Sequence, residues 1–161
     1  TILFSPVKGE FLFNAKQYEA SLRCYGRVEA VMSSGSGGYV RDETTASDAI
    51  ELYAKVANKI GRIHLRVQSI DLAIVYFGRQ LSLAQEEHLE VQRIEALIGL
   101  SECYIQKHDF KYACEFLQQC LPLIVSGCDK EKEKVVYALL QKCYEHLNKS
   151  EEAAFCERKI H

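Results

Sequence analysis

Apolar residues recur every three or four positions along most of this chain. In "SDAIELYAKVANKIGRIHLRV" the series Ile50, Tyr53, Ala54, Ala57, Ile60 and Val67, with His64 among them, follows the helical period. Thr45, with Asp48 three positions later, predicts a capping box at the start of that helix. "LEVQRIEALIGLSECYIQ" keeps the period through Ile94, Leu97, Ile98, Leu100 and Tyr104. The next helix is predicted to begin at Asp109, whose carboxylate can accept from free N–H groups of the first turn, and to stop near Gly127. Asp129 is predicted to cap "KEKEKVVYALLQKCYEHL", and Asn148 or Ser150 to start the last helix. No segment alternates apolar and polar residues between hairpin turns, so the chain reads as all-α.

One stretch breaks the pattern. "SSGSGGYVRDETTAS", Ser33 to Ser47, is small, polar and glycine-rich, the composition of a flexible loop. Two origins stay open for it: a natural surface loop, or an engineered linker joining segments that are not neighbours in nature.

A longer period underlies the short one. Ala73, Ala113 and Ala153 stand 40 residues apart. Nine residues before each comes His64, Tyr104 or Tyr144, and three earlier Gly61, Ser101 or Gln141. Four residues after come Phe77, Leu117 and Glu157. Near the start, Gly9, Leu12, Tyr18, Ser21 and Tyr25 repeat the spacing of Gly61, His64, Ile70, Ala73 and Phe77. Two antiparallel helices need a small residue where their backbones approach and a bulky one opposite. One such pair cannot bury its apolar face alone, so pairs stack into a continuous core.

"GEFLFNAKQYEASLRCY" and "LSECYIQKHDFKYACEFL" resemble the tetratricopeptide repeat (TPR) family in their order of small, bulky, turn, aromatic, small and bulky residues. The period of 40 is similar to the longer-helix variants of the Pins/LGN polarity adaptors, rapsyn and SNAP-like proteins. The family's early tryptophan and closing proline are absent. The resemblance implies a right-handed superhelix of about four stacked antiparallel helix pairs. It covers 1–161 as a single domain, with approximate repeats 1–32, 48–87, 88–127 and 128–161 and the loop 33–47 between the first two.

Composition narrows the function. The chain has 161 residues, 48% hydrophobic and 26% charged, as an ordinary globular domain has. A formal charge of −2 gives no general pull toward nucleic acid. No apolar run reaches the roughly 18–20 residues that span a bilayer, so membrane insertion is not expected. The start at Thr1 rather than Met reads as a fragment or trimmed chain. Seven cysteines, an odd number with no CxxC pair, read as reduced packing groups in a cytosolic or nuclear protein. No metal or cofactor is expected, because zinc sites announce themselves with close Cys or His pairs.

An enzyme is not expected either. His64 falls at the bulky packing position and His108 in a turn, "QKHDF"; no nucleophile turn or fixed cysteine signature accompanies His108 and Asp109. The acidic "QEEHLE" and "DKEKEK" read as solvated helix ends.

The strongest functional pattern is basic. Lys55, Lys59, Arg62 and Arg66 recur at i, i+4, i+7 and i+11, on one helix face with Asn58 beside them. In the resemblance, first helices of repeats line a concave groove. The next groove helix would then present Ile98, Glu102, Ile105 and Gln106, and the following one Ala138, Lys142, Glu145 and His146. Such a groove suits a protein or peptide partner with acidic residues. The chaperone-tail clamp of the family does not carry over, since Pro6 and Glu10 stand at its positions. The expectation is an adaptor or scaffold module for protein–protein interaction. The alternative is a structural segment of a subunit in a larger assembly.

Overall fold

The computed structural model describes the backbone of residues 43–161 and the side chains of 48 and 50–161. Among them are six helices: α1 (Glu43–Arg66), α2 (Ile70–Glu86), α3 (Glu90–Gln106), α4 (Phe110–Gly127), α5 (Lys130–His146) and α6 (Ser150–Ile160). The first expected repeat, with Gly9, Leu12, Tyr18, Ser21 and Tyr25, lies outside the described residues, as does 33–42 of the loop.

One boundary differs from expectation. α1 starts at Glu43, inside the expected loop, so Thr45 and Asp48 are helical positions and not a cap. Residues 43–47 hold no glycine or proline, and extending an existing helix by a turn needs no new nucleus. α6 starts at Ser150, one of the two expected starts, with Lys149 at the N-cap making no side-chain capping bond. The caps at Asp109 and Asp129 form as expected, accepting from the N–H groups of Tyr112 and Lys132 at 3.2 and 3.1 Å.

The chain divides into two compact units, one ending at Arg93 and the other starting at Ile94, within α3. In the first unit α1 and α2 form an antiparallel hairpin. Asn58 meets Gln80 and Gly61 meets Phe77, so each step forward on α1 is matched by a step back on α2. Ala54, Ala57, Ile60, Ala73, Phe77 and Ala84 are buried in this unit. Removing a side chain of the size of Phe77 or Ile60 from water contributes about 1.5–3 kcal/mol. Ala73 is fully buried, as the contact position requires.

The second unit packs α4 against α5 and α5 against α6. Its core holds Leu97, Leu100, Ala113, Leu117, Ile124, Val136 and Leu140. Cys103, Cys114, Cys120, Cys143 and Cys156 are buried free thiols, small apolar fillers among these larger groups, while Cys128 is exposed. Tyr104 meets Tyr112 edge-on at 4.7 Å and stacks on Phe116 at 5.6 Å, tying α3 to α4.

The turns reveal a shorter period than the side chains do. Gln68, His88, His108, Cys128 and Asn148 all have φ between 56° and 66°, and they stand 20 residues apart. At four of these turns the αL residue and the residue after it donate backward in the two-bond Schellman pattern: Gln68 to Leu65 and Ser69 to His64, then equivalently at His108, Cys128 and Asn148. At the fifth, Leu89 donates to the carbonyl of Ala84 at 2.9 Å. Gly127 is therefore not the left-handed stop that its type suggests. It is the last helical residue, and Cys128 takes the αL position.

Candidate functional site

The cations of α1 sit where helix geometry puts them. Lys55 is exposed and pairs with Glu51 at 3.0 Å, one turn earlier, with more than half of its side chain in solvent. Arg66 is exposed, while Lys59 and Arg62 are half-buried. The Arg62 guanidinium lies 5.4 Å from the centre of the Phe77 ring, a cation–π distance that orients it along α2. Arg62 and Arg66 also lie among the basic residues toward the C-terminal end of α1, where the helix dipole favours positive charge.

Asn58 is turned inward. Its Nδ2 donates to Gln80 Oε1 at 2.9 Å, and Gln80 Nε2 donates to Gln92 Oε1 at 3.0 Å. Gln80 is fully buried and Gln92 nearly so. The three amides form a polar chain from α1 through α2 to the first turn of α3. Asn58 is half-buried, and its amide is engaged by Gln80.

Ile98 and Ile105 are likewise buried, at 6% and 8% exposure, and present no open surface. Glu102 is half-buried and Gln106 exposed on α3. On α5, Ala138, Lys142, Glu145 and His146 are exposed. Glu145 accepts from Gln141 at 3.1 Å. The His146 ring stacks on Phe110 with centroids 4.1 Å apart, and its Nδ1 lies 2.9 Å from the carbonyl of Lys142, which fixes that nitrogen as the donor.

The nucleophile and base candidates have structural duties. His64 is buried, stacks on Tyr76 at 5.5 Å, and has no hydrogen-bond partner at Nδ1. Burial holds its pKa below the usual imidazole value. His108 is an αL turn residue, and the Asp109 carboxylate is spent on the N–H of Tyr112. Burial pushes the Cys143 thiol up to about 12, and raises Cys114 and Cys156 as well. A thiol in that state supplies little thiolate. Among the described residues no cluster of His, Cys, Asp or Glu has the arrangement to hold a metal ion, and no helix is long and apolar enough to cross a membrane.

The amide chain, the left-handed turns and the Phe110–His146 stack escaped the sequence reading. Only the first left a trace there, in Gln80 and Gln92, which are polar at positions of core spacing.

No family model matches the sequence, and no curated protein matches it. Solved structures do. The TPR domain of Arabidopsis FLU superposes with a TM-score of 0.66 at 20% identity, covering 69% of this chain and 93% of that one. The apo form of RapI gives 0.77 at 19% identity over 93% of this chain, which spans about half (51%) of RapI. MamA from AMB-1 gives 0.51 at 17% identity over 96% of this chain and 94% of that one. At these identities the likeness is one of fold: an all-α helical repeat of TPR-like build.

Proposed function

We propose that this TPR-like chain is a protein–protein interaction module, an adaptor or scaffold that captures a partner segment carrying acidic residues. Lys55, Lys59, Arg62 and Arg66 are the electrostatic anchors. One observation carries the reading: α1 buries most of its other positions after Ala54, yet keeps four cations on one face with the outer two exposed. From Lys55 to Arg66 α1 carries no acidic residue, whereas α6 mixes signs with Glu151, Glu152, Glu157, Arg158 and Lys159. Glu102, Gln106, Lys142 and His146 remain accessible on their own helices and stay candidate contacts. Ile98 is buried, and the half-buried Asn58 holds its amide against Gln80. The repeats 1–32, 48–87, 88–127 and 128–161 are taken as one domain, acting in the cytosol or nucleus, where its free thiols stay reduced.

The test is capture of partners from lysate by the whole chain and by an Arg62→Glu, Arg66→Glu variant of equal melting temperature. The variant is expected to lose the salt-sensitive partners. Identical capture by both chains removes the α1 face from the function.

A structural role in a larger assembly is the second reading. Phe155, 47% exposed, and the exposed Ala154 on α6 favour it, since an exposed aromatic beside a small residue suits burial against another chain. Capture that survives high salt but fails for Phe155→Ser would select this reading.

A further inference from the structure

The cations of α1 form a ladder along one helix, and at the interval of 40 they have one cationic counterpart, Lys142, two intervals on from Arg62. In place of Lys55 the later first helices carry Glu95 and Val135; in place of Lys59, Gly99 and Leu139; in place of Arg62, Glu102 and Lys142; in place of Arg66, Gln106 and His146. A ligand using the positions equivalent to each cation would meet a carboxylate or a neutral residue next, and a second cation only at Lys142. A ligand that uses several of these cations must run along the axis of α1.

Spacing selects its conformation. Lys55 and Arg66 are eleven residues apart, about 16 Å along the axis at 1.5 Å per residue. Steps of four, three and four residues rise about 6, 4.5 and 6 Å. A second helix with carboxylates at i, i+4, i+7 and i+11 repeats those rises rung for rung. An extended chain offers same-face side chains about 6.6 Å apart and drifts out of step within a few rungs. Lys55 at the outer end pairs with Glu51, one turn earlier on the same helix, at 3.0 Å; the pair is open to solvent, so a ligand carboxylate can join or exchange with it.

We propose that the partner of the proposed interaction face is an acidic amphipathic α-helix lying along α1, engaging Lys55 and Arg66 at the same time. This rests on the interaction reading above and adds the ligand's conformation and direction.

The test uses the whole chain and two labelled peptides in fluorescence anisotropy at low salt. One is a helix-former with glutamates at i, i+4, i+7 and i+11. The other has the same composition with central prolines added. The chain variants are Lys55→Gln and Arg66→Gln, at the two exposed ends of the ladder, each checked for an unchanged melting temperature. The helical peptide is expected to bind more tightly than the broken one, and each neutralisation to weaken it roughly three- to tenfold. Loss at only one end means that the ligand crosses α1, which overturns this inference and leaves the interaction reading standing. Equal binding of the two peptides does the same. Failure of both peptides to bind, even at low salt, overturns both.

Discussion

Gly61 lies directly under the ring of Phe77: a Cβ at residue 61 would stand 2.9 Å from Cε1 and 3.0 Å from Cδ1 and Cζ. The ring is fully buried, and the Arg62 guanidinium sits over it, so it has little room to yield. In an open helix, alanine would be about 1 kcal/mol better than glycine. Here overpacking costs about 1–3 kcal/mol. Gly61→Ala is therefore expected to lower stability by about 1 kcal/mol in denaturant melts. In a Phe77→Leu background the ring edge is gone, and the same change is expected to stabilise. Additive effects of the two substitutions would break the proposed contact.

The left-handed turns lead to an opposite kind of gain. A residue with a Cβ in αL pays about 1–2 kcal/mol that glycine does not, and asparagine pays less. His108→Gly and Cys128→Gly are expected to raise stability by about 0.5–1 kcal/mol each, after the added freedom of the unfolded glycine is counted. Asn148→Gly should change it little. Gly127→Ala should stabilise by a similar amount, because φ there is helical and nothing lies within 4 Å of the added Cβ. Thermal melts of the four variants check the order.

His64 makes stability depend on pH. Its folded pKa is lowered from 6.5 by burial, so the folded state favours the neutral ring. The stabilising contribution is present in full above the unfolded value of 6.5 and is lost as pH falls below it through the folded value. The melting temperature is expected to drop as pH falls below 6.5, and His64→Phe should flatten that drop. An equal slope in the variant would assign the acid sensitivity to other groups.

The amide chain should respond asymmetrically. Gln80→Leu removes the partner of Asn58 Nδ2 and of Gln92 Oε1, leaving polar atoms without their bonds inside the first unit. The expected cost is about 1–3 kcal/mol. Adding Gln92→Leu should recover part of it, since an apolar pair has nothing left to satisfy. Urea titrations of the single and double variants measure the recovery.

The sequence shows this architecture where burial forces a choice of side-chain size. Ala73, Ala113 and Ala153 could be found because any larger residue is excluded there, and all three are buried. The turn period of 20 was hidden because the αL residues are Gln, His, His, Cys and Asn, types with no shared signature; the one glycine nearby, Gly127, sits a residue early. The cation ladder was legible because spacing on one helix is local. The burial of Ile98 and the engagement of Asn58 were not legible, because a helical wheel gives the direction of a side chain and not what stands opposite it. Gln80 and the core took them.

The left-handed turns at intervals of 20 also set a rule for length. Adding one residue inside a helix turns everything after it by about 100° and carries the buried stripe into solvent. Adding a whole helix and turn restores the rotation but reverses the direction of the chain. Two helices and two turns together restore both. For changes of length made within these helices, the step that restores both rotation and direction is therefore 40 residues, the interval separating Ala73, Ala113 and Ala153.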